Sequence, residues 1–141
     1  MSQEVHLQLD ARPEELPRLA EAVEELAERD DWSPKLLFQV NLVIEELALN
    51  VMTHGRAGGA RHLDVVLRSA SDTITVELAD DGPRFDPLEE APEFDPELPI
   101  DERRVGGVGV HLVRTLVDDA SYRYEDGKNR LTLVLPRESG D

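Results

Sequence analysis

The stretch that decides how this chain folds is Asn41-Leu42-Val43-Ile44-Glu45-Glu46-Leu47-Ala48-Leu49-Asn50-Val51-Met52-Thr53-His54-Gly55. Its aliphatic residues recur with the period of an α-helix, so the stretch predicts a helix with one apolar side. Glu46, Asn50 and His54 are spaced four residues apart and would form a polar stripe on that helix. The stripe is either an ordinary solvated face or a set of groups able to bind a hydrated cation.

The same helix has clear ends in the sequence, and two further elements precede it. Ser33-Pro34 supplies an N-cap and a first-turn proline, and Gly55 supplies a stop. Upstream, residues 5–9 alternate between apolar and polar types as in a half-buried strand, and Pro13 to Arg29 has helical periodicity with acids on its outer face. Pro17 delays or bends the start of this earlier helix.

Strand signals dominate the rest of the chain. The runs Leu63 to Leu67 and Ile74 to Leu78 alternate around a polar turn, which predicts an antiparallel hairpin. Residues 82–104 show no periodicity of either kind, and loops of this length in compact domains are commonly lids or binding loops. Val108 to Val117 predicts a short helix opened by glycines. Two terminal strands are predicted at Tyr122 to Tyr124 and Leu131 to Leu135, joined at Asp126-Gly127-Lys128-Asn129.

The composition is that of a small acidic domain. The 141 residues are 40% hydrophobic and carry a formal net charge of −16, which suits one domain, residues 1–141, with a single core. This charge disfavours nucleic acid as a partner and favours a basic or neutral one. The absence of cysteine excludes disulfides and thiol catalysis. Neither a leader sequence nor a stretch of about 18 apolar residues is evident, so we expect a soluble cytoplasmic protein that does not bind a membrane.

Three residues of the central helix have different chemical uses. The Asn50 carboxamide oxygen is a hard neutral donor suited to Mg²⁺, which keeps several waters and takes further ligands from substrate phosphates. Glu46, one turn earlier, could accept a proton from an attacking hydroxyl or orient a water. His54 lies in the last turn, where an imidazole also complements the helix dipole, and we favour that structural role.

Two glycine-containing segments follow the helix. Asp81-Gly82 ends a predicted strand, and a carboxylate there could accept the exocyclic amino proton of adenine, although Asp-Gly is also a common turn. The cluster Gly106, Gly107 and Gly109 precedes an apolar helix, where bare backbone could cradle phosphates. Arg104, just upstream, either reaches the terminal phosphate or is solvated.

Taken in order, these segments resemble the N, G1 and G2 boxes of the GHKL superfamily of ATPases and kinases. The N box corresponds to Glu46 to Gly55, the G1 box to residues 81–87 and the G2 box to residues 106–113. Within the superfamily the chain is most similar to the stand-alone anti-sigma factor serine kinases. The resemblance implies an α+β fold, a two-layer sandwich in which helices cover one face of a mixed, mostly antiparallel sheet.

The resemblance also implies roles for individual residues. Glu46 would be the general base or water-orienting acid, and Asn50 the Mg²⁺ ligand. Asp81 would read adenine with Gly82 as its backbone companion, and Thr132 would lie near the base. The three glycines of the G2 box would close over the phosphates, and residues 87–105 would form the ATP lid.

The function implied is that of a Mg²⁺- and ATP-dependent serine kinase. It would sequester a sigma factor and phosphorylate a serine on an anti-sigma factor antagonist, and relatives suggest a homodimer. Pro83-Arg84 departs from the usual G1 box, and Gly106 stands where some of these kinases carry a serine. These departures keep two alternatives open: a partner-switching module that binds ATP without transferring phosphate, and an acidic domain without a nucleotide site.

Overall fold

The structure is a computed structural model that describes residues 3–55, 59–86 and 113–137. Five strands and two α-helices make up the described part of the chain. In chain order they are β1 (Gln3–Asp10), α1 (Leu16–Arg29), α2 (Pro34–Asn50), β2 (His62–Ser69), β3 (Thr73–Asp80), β4 (Asp119–Glu125) and β5 (Lys128–Pro136). A 3₁₀ turn, Pro13–Glu15, precedes α1, and a π-helical segment, Val51–Gly55, directly follows α2.

The strands form one sheet in the order β1-β2-β3-β5-β4, and all four pairings are antiparallel. Burial alternates along β2, β3 and β5, so one face of the sheet is covered and the other faces solvent. The two helices pack on the covered face. The predicted two-layer α+β sandwich is confirmed, and the described pairings contain no parallel component.

The core lies between this face and the helices, and it is built from aliphatic side chains. Its largest fully buried members from the helices and the π-helical segment are Leu26, Leu36, Ile44, Leu47 and Met52, and those from the sheet are Leu63, Leu67, Ile74, Leu133 and Leu135. At about 25 cal/mol per Å² of apolar surface removed from water, such packing supplies the main favourable term in folding.

The helix ends follow the sequence signals. The Ser33 hydroxyl accepts a hydrogen bond from the Leu36 N–H at 3.1 Å, with Pro34 in the first turn, as predicted for an N-cap. Pro17 lies in the first turn of α1, where its missing N–H has no cost. The delayed start of this helix is therefore confirmed.

The predicted hairpins are also present. The first consists of β2 and β3, with Val65 opposite Leu78. The second joins β4 to β5 through Asp126 and Gly127, whose φ angles are 55° and 74°. Two positive φ values in succession match the right-handed twist of a hairpin, which explains the Asp-Gly pair.

A polar cluster joins the end of β5 to the turn between the helices. Arg137 Nη1 contacts Asp30 Oδ2 at 2.6 Å and donates to the Ala70 carbonyl at 2.9 Å. The Ser69 hydroxyl donates to the same Asp30 oxygen at 2.5 Å and accepts from Trp32 Nε1 at 3.0 Å. We call these residues the Asp30–Arg137 clasp, and it holds the last strand to the helical layer.

One described helical stretch, Pro34–Thr53, is long and apolar enough to cross a membrane by length and composition, with a mean hydropathy of 1.4. This mean hydropathy is an average, and the stretch includes Glu45, Glu46 and Asn50, so it is not an unbroken run of about 18 apolar residues. In the fold this helix is part of the core, because Val40, Val43 and Ile44 are each at most 1% exposed. The buried helix of a globular domain meets the same criterion.

Two predicted features lie outside the described residues. They are the lid, residues 87–105, and the first part of the helix predicted for Val108 to Val117. Residues 113–116 of that helix are helical, and Val113 is fully buried.

Candidate functional site

A pocket opens where the end of α2 meets the ends of β3, β4 and β5. The residues that line it are Leu47, Asn50, Val51, Leu78, Asp80, Pro83, Phe85, Tyr122, Asn129 and Leu131. Its walls are mostly apolar, and its polar groups are one carboxylate, two carboxamides and one phenol. The space at its centre is about 20 Å³, close to that of one water molecule, so a larger ligand enters only if lining side chains move.

Asn50 supplies the polar group that α2 contributes to this pocket. It is 7% exposed, and its side-chain Nδ2 is buried without a hydrogen-bond partner among the described residues. An unpaired buried amide costs about 1–3 kcal/mol. The carboxamide therefore retains hydrogen-bonding capacity for a ligand in the pocket.

The helix changes its winding immediately after Asn50. Val51–Gly55 is π-helical, and the Thr53 hydroxyl donates to the Leu49 carbonyl at 2.8 Å. Such widened turns inside helices occur frequently at functional sites. The regular four-residue spacing assumed for His54 ends at this point, and the side chain of His54 lies outside the described structure.

Glu46 lies one helical turn before Asn50 and is half-buried. Burial, reinforced by the neighbouring charge of Glu45, raises the pKa of its carboxyl above the ordinary value. Glu45 itself is exposed. Glu46 is not among the residues that line the pocket, although its neighbour Leu47 is. A carboxylate with a raised pKa one turn from a pocket residue is a candidate general base.

Asp80 is the carboxylate that points into the pocket. It is 8% exposed, and its Oδ1 accepts from the Gly82 N–H at 2.9 Å and from Asn129 Nδ2 at 3.0 Å. Burial raises the pKa of Asp80, against the effect of these two hydrogen bonds. Its Oδ2 makes no hydrogen bond to another described residue, so one oxygen is left for a ligand.

Asp81, the residue predicted to read adenine, points away from the pocket. Its carboxylate accepts the N–H groups of Arg61 and His62 at 2.7 and 3.0 Å, and its other oxygen contacts His62 Nδ1 at 2.8 Å. Partial desolvation acts to raise the pKa of Asp81, but these hydrogen bonds hold it far below its usual range. Side chains alternate along β3, so Asp80 rather than Asp81 lies on the core side. The assignment of Asp81 to the pocket is therefore corrected to Asp80.

Asn129, at the second position of β5, connects the carboxylate to the loop that covers the pocket. Its Nδ2 donates to Asp80 Oδ1 and to the Pro83 carbonyl, the latter at 2.9 Å, and its Oδ1 accepts from the Phe85 N–H at 2.9 Å. The Tyr122 hydroxyl donates to the same Oδ1. Both ends of the carboxamide are thus engaged, and Asn129 fixes Asp80 and the loop together.

Thr132 does not reach the pocket. It shares the solvent-facing side of the sheet with its cross-strand neighbour Glu77, whereas Leu131 and Leu133 face the core. A larger groove, about 580 Å³, lies on this solvent side and includes Thr132, Glu77 and Arg130. The residue of β5 nearest the pocket carboxylate is Asn129, not Thr132.

Of the other predicted residues, Gly82 is buried beside the pocket, with its N–H on Asp80 and its carbonyl 3.3 Å from Asn129 Nδ2. Arg104, Gly106, Gly107 and Gly109 lie outside the described residues. Within the described ranges, no group of three or more His, Asp or Glu side chains is arranged to hold a metal ion. A cation here would need ligands from a bound molecule as well as from the protein.

A family model described as "Histidine kinase-like ATPase domain" matches residues 9–135. The chain belongs to this histidine-kinase-like ATPase family. The resemblance predicted from the three sequence boxes is thereby confirmed at the level of the family, whose description also implies the use of ATP.

Known members and structures support the same placement of this histidine-kinase-like ATPase domain. It is 32% identical over 115 residues to the serine/threonine-protein kinase BtrW of Bordetella bronchiseptica, covering 79% of each chain. It is 28% identical over 131 residues to the serine-protein kinase RsbW of Listeria innocua, covering 90% of this chain and 83% of the relative.

A solved structure of the RsbU and RsbW domains of Rv1364c from Mycobacterium tuberculosis matches with a TM-score of 0.62 at 17% identity. The match covers 97% of the histidine-kinase-like ATPase domain and 34% of that longer chain. At this identity the match supports the fold alone.

Proposed function

We propose that this chain is a cytoplasmic serine protein kinase that uses Mg-ATP, sequesters a sigma factor and phosphorylates a serine on an anti-sigma factor antagonist. The observation that carries the proposal is the pocket in which Asn50 and Asp80 come together. Among the described residues, Asn50 Nδ2 has no hydrogen-bond partner, and the bonds to Asp80 use its Oδ1. The similarity to BtrW and RsbW, named as serine or serine/threonine kinases, supports the same reaction.

Recognition of the base is assigned to Asp80. Its free oxygen accepts a hydrogen bond from an exocyclic amino group, which adenine has at the position where guanine has a carbonyl. Because Asn129 and Gly82 already occupy the other oxygen, the carboxylate is fixed in orientation. Phe85 and Leu78 offer apolar surface for a flat ring beside it.

Asn50 is the residue proposed to hold Mg²⁺, through its carboxamide oxygen. The donor fits a hard cation that takes its remaining ligands from phosphates and water. When bound, Mg-ATP supplies the transferable phosphoryl group and neutralises the charge that develops on it.

Glu46 is proposed as the base that accepts the proton of the substrate serine hydroxyl. Its raised pKa makes it a better proton acceptor than an ordinary surface glutamate. Glu46 lies one turn from Asn50, so the base and the metal ligand share one rigid helix. The nucleophile belongs to the partner protein.

The test is incubation with Mg-ATP and the co-encoded antagonist, followed by mass spectrometry for phosphoserine. Phosphoserine that disappears in Asn50→Ala and persists in Gln39→Ala, a control on the same helix, is the expected result. Binding of ATP without phosphoserine would instead favour the partner-switching module suggested by Pro83-Arg84. Calorimetry that detects no affinity for Mg-ATP would leave only an acidic domain without a nucleotide site.

A further inference from the structure

A second concave surface lies on the helical layer, away from the pocket of Asn50 and Asp80. It is a groove of about 220 Å³ between the start of α1 and the second half of α2. Its lining residues are Leu16, Pro17, Leu19, Ala20, Asn41, Ile44 and Glu45. Five of these seven side chains are apolar, so the floor of the groove would gain from contact with a hydrophobic ligand.

The apolar surface continues along α2 beyond the groove. Phe38 is 67% exposed and lies three residues before Asn41 and seven before Glu45, so the three share one face of the helix. Among the described residues, Phe38 and Tyr124 are the large hydrophobic side chains that remain exposed. A single exposed aromatic is common, but one aligned with an apolar groove marks a contact surface.

Acidic side chains lie along α1 beside this surface. Glu24 and Glu28 follow Ala20 at four-residue steps on α1 and are exposed, as are Glu21 and Glu25. None of the four forms an ion pair with another described residue. Basic side chains near this surface are fewer than the acidic ones. Arg18 donates to the Gln8 carbonyl at 3.2 Å and to Glu15; the other two are Arg29 at the end of α1 and Lys35, one turn before Phe38 on α2. With Glu45, the acids number five against these three, so the rim carries net negative charge.

We propose that this α1–α2 groove is the docking site for a basic amphipathic helix of a partner protein. The groove runs between two packed helices, and the anchors on α2 are spaced by helical turns, which suits a third helix laid into it. Apolar residues of the partner would contact the floor and Phe38, while its Lys and Arg side chains would face Glu24, Glu28 and Glu45. The site is separate from the nucleotide pocket, and the proposal does not depend on ATP binding.

The test uses the full chain without nucleotide and three fluorescently labelled synthetic helices of about 18 residues. One peptide combines Lys with Leu on one face, the second replaces Lys by Glu, and the third keeps Lys but replaces Leu by Ser. We expect saturable one-to-one binding of the Lys/Leu peptide alone at about 0.15 M salt, measured by fluorescence anisotropy. If the Lys/Ser peptide bound as tightly as the Lys/Leu peptide, net charge alone would explain the binding, and the proposal would be overturned.

Matched variants locate the binding. The affinity for the Lys/Leu peptide should fall by about tenfold or more in Phe38→Ser and in the double variant Glu24→Lys/Glu28→Lys. The controls make the same kinds of change elsewhere, in Tyr124→Ser and in Asp72→Lys/Asp118→Lys. Their affinity for the peptide should stay within about twofold of the wild-type value. Circular dichroism melts check that every variant folds.

Two outcomes contradict the site directly. Equal losses in the control variants would place binding elsewhere. Sedimentation that shows a dimer dissociated by Phe38→Ser would assign the groove to a second copy of this chain instead of a basic helix. Because nucleotide is absent from the assay, either failure is independent of the kinase activity proposed above.

Discussion

Two adjacent aspartates at the end of β3 illustrate how much a single position decides in this protein. Asp80 is buried beside Asn129 and leaves one oxygen toward the pocket, whereas Asp81 is committed to the backbone of Arg61 and His62. Their positions differ by one residue, which in a strand means opposite faces. The first is suited to ligand recognition and the second to holding the chain before β2 against β3.

The proposed role of Glu46 as general base leads to a prediction about the rate of phosphorylation. Glu46→Gln should lower the rate of serine phosphorylation by about 10²–10⁴-fold while leaving the affinity for Mg-ATP nearly unchanged. Single-turnover phosphorylation and calorimetry on the same preparation separate the two effects. A parallel loss of ATP affinity would indicate a binding role instead.

The raised pKa of Glu46 gives a separate pH prediction. A base must be ionised, so the rate should rise with pH as Glu46 loses its proton, at a pH above that of an ordinary glutamate. Glu45→Gln removes the neighbouring charge that contributes to this shift, so it should move the acidic limb of the pH–rate profile to lower pH. An unmoved limb would exclude Glu46 as the titrating group.

Asn129 was not predicted from the sequence, although a signal for it exists. On β5 it is in phase with the buried residues Leu131, Leu133 and Leu135, whereas the predicted Thr132 is out of phase. Asp80 is likewise in phase with Leu78, Val76 and Ile74 on β3. A polar residue that occupies one of the alternating buried positions of a strand is therefore a better candidate for a pocket residue than one chosen because it belongs to a common dipeptide such as Asp-Gly.

The bonds of Asn129 support a stability prediction. Asn129→Ala should lower the free energy of unfolding by about 2–4 kcal/mol, because it leaves Asp80, Phe85 and Tyr122 without their shared partner. Tyr122→Phe removes one donor and should cost about 1 kcal/mol. Urea denaturation measures both values, and equal effects would contradict a network centred on Asn129.

Among the secondary-structure elements, the α-helices and hairpins were predicted from the sequence, and the π-helical segment was not. The cap of α2 and both hairpins were predicted because each depends on residues close in the chain, such as Ser33 or the pair Asp126-Gly127. The π-helical segment after Asn50 has no sequence signature that separates it from an α-helix. Within it, Met52 is buried in the core.

The Asp30–Arg137 clasp was also not predicted from the sequence, because Asp30 and Arg137 are far apart in the chain. Their side chains are 19% and 17% exposed, so the pair is partly buried. Arg137→Ala should destabilise the protein by about 2–4 kcal/mol, since it leaves the Asp30 carboxylate without its cation. Thermal or urea unfolding measures this loss, and Arg123→Ala, which removes an exposed arginine, serves as the control with an expected change below about 1 kcal/mol.

Acid should weaken the clasp. Partial burial opposes the effect, but Ser69 and Arg137 hold the pKa of Asp30 below its ordinary value in the folded state. The stability from this pair is therefore fully present above the unfolded pKa, about 3.9, and is lost as pH falls through the lower folded value. The difference in unfolding free energy between wild type and Asp30→Asn should shrink over that range, and a constant difference would contradict the assignment.

In the molecule as a whole, the mostly apolar pocket and the acidic helix face are two separate surfaces. The pocket at the end of α2 combines Asn50 and Asp80 within mostly apolar walls, while helix α1 carries an acidic face in a protein of net charge −16. The family and the two-layer sandwich were recoverable from three short boxes in the right order, because their order and spacing together are more specific than any one box alone. The choice between the two aspartates required the register of the sheet.

Calorimetric titration of Mg-ATP into the wild-type chain, Asp80→Asn and Asp81→Asn tests whether Asp80 binds the nucleotide. We expect one site per chain, with affinity weakened by about 30-fold or more in Asp80→Asn, for a lost hydrogen bond of about 2–3 kcal/mol to a charged group. The affinity of Asp81→Asn should stay within about twofold of the wild-type value. Absence of binding by the wild type, or an equal loss in both variants, would contradict a nucleotide pocket built on Asp80.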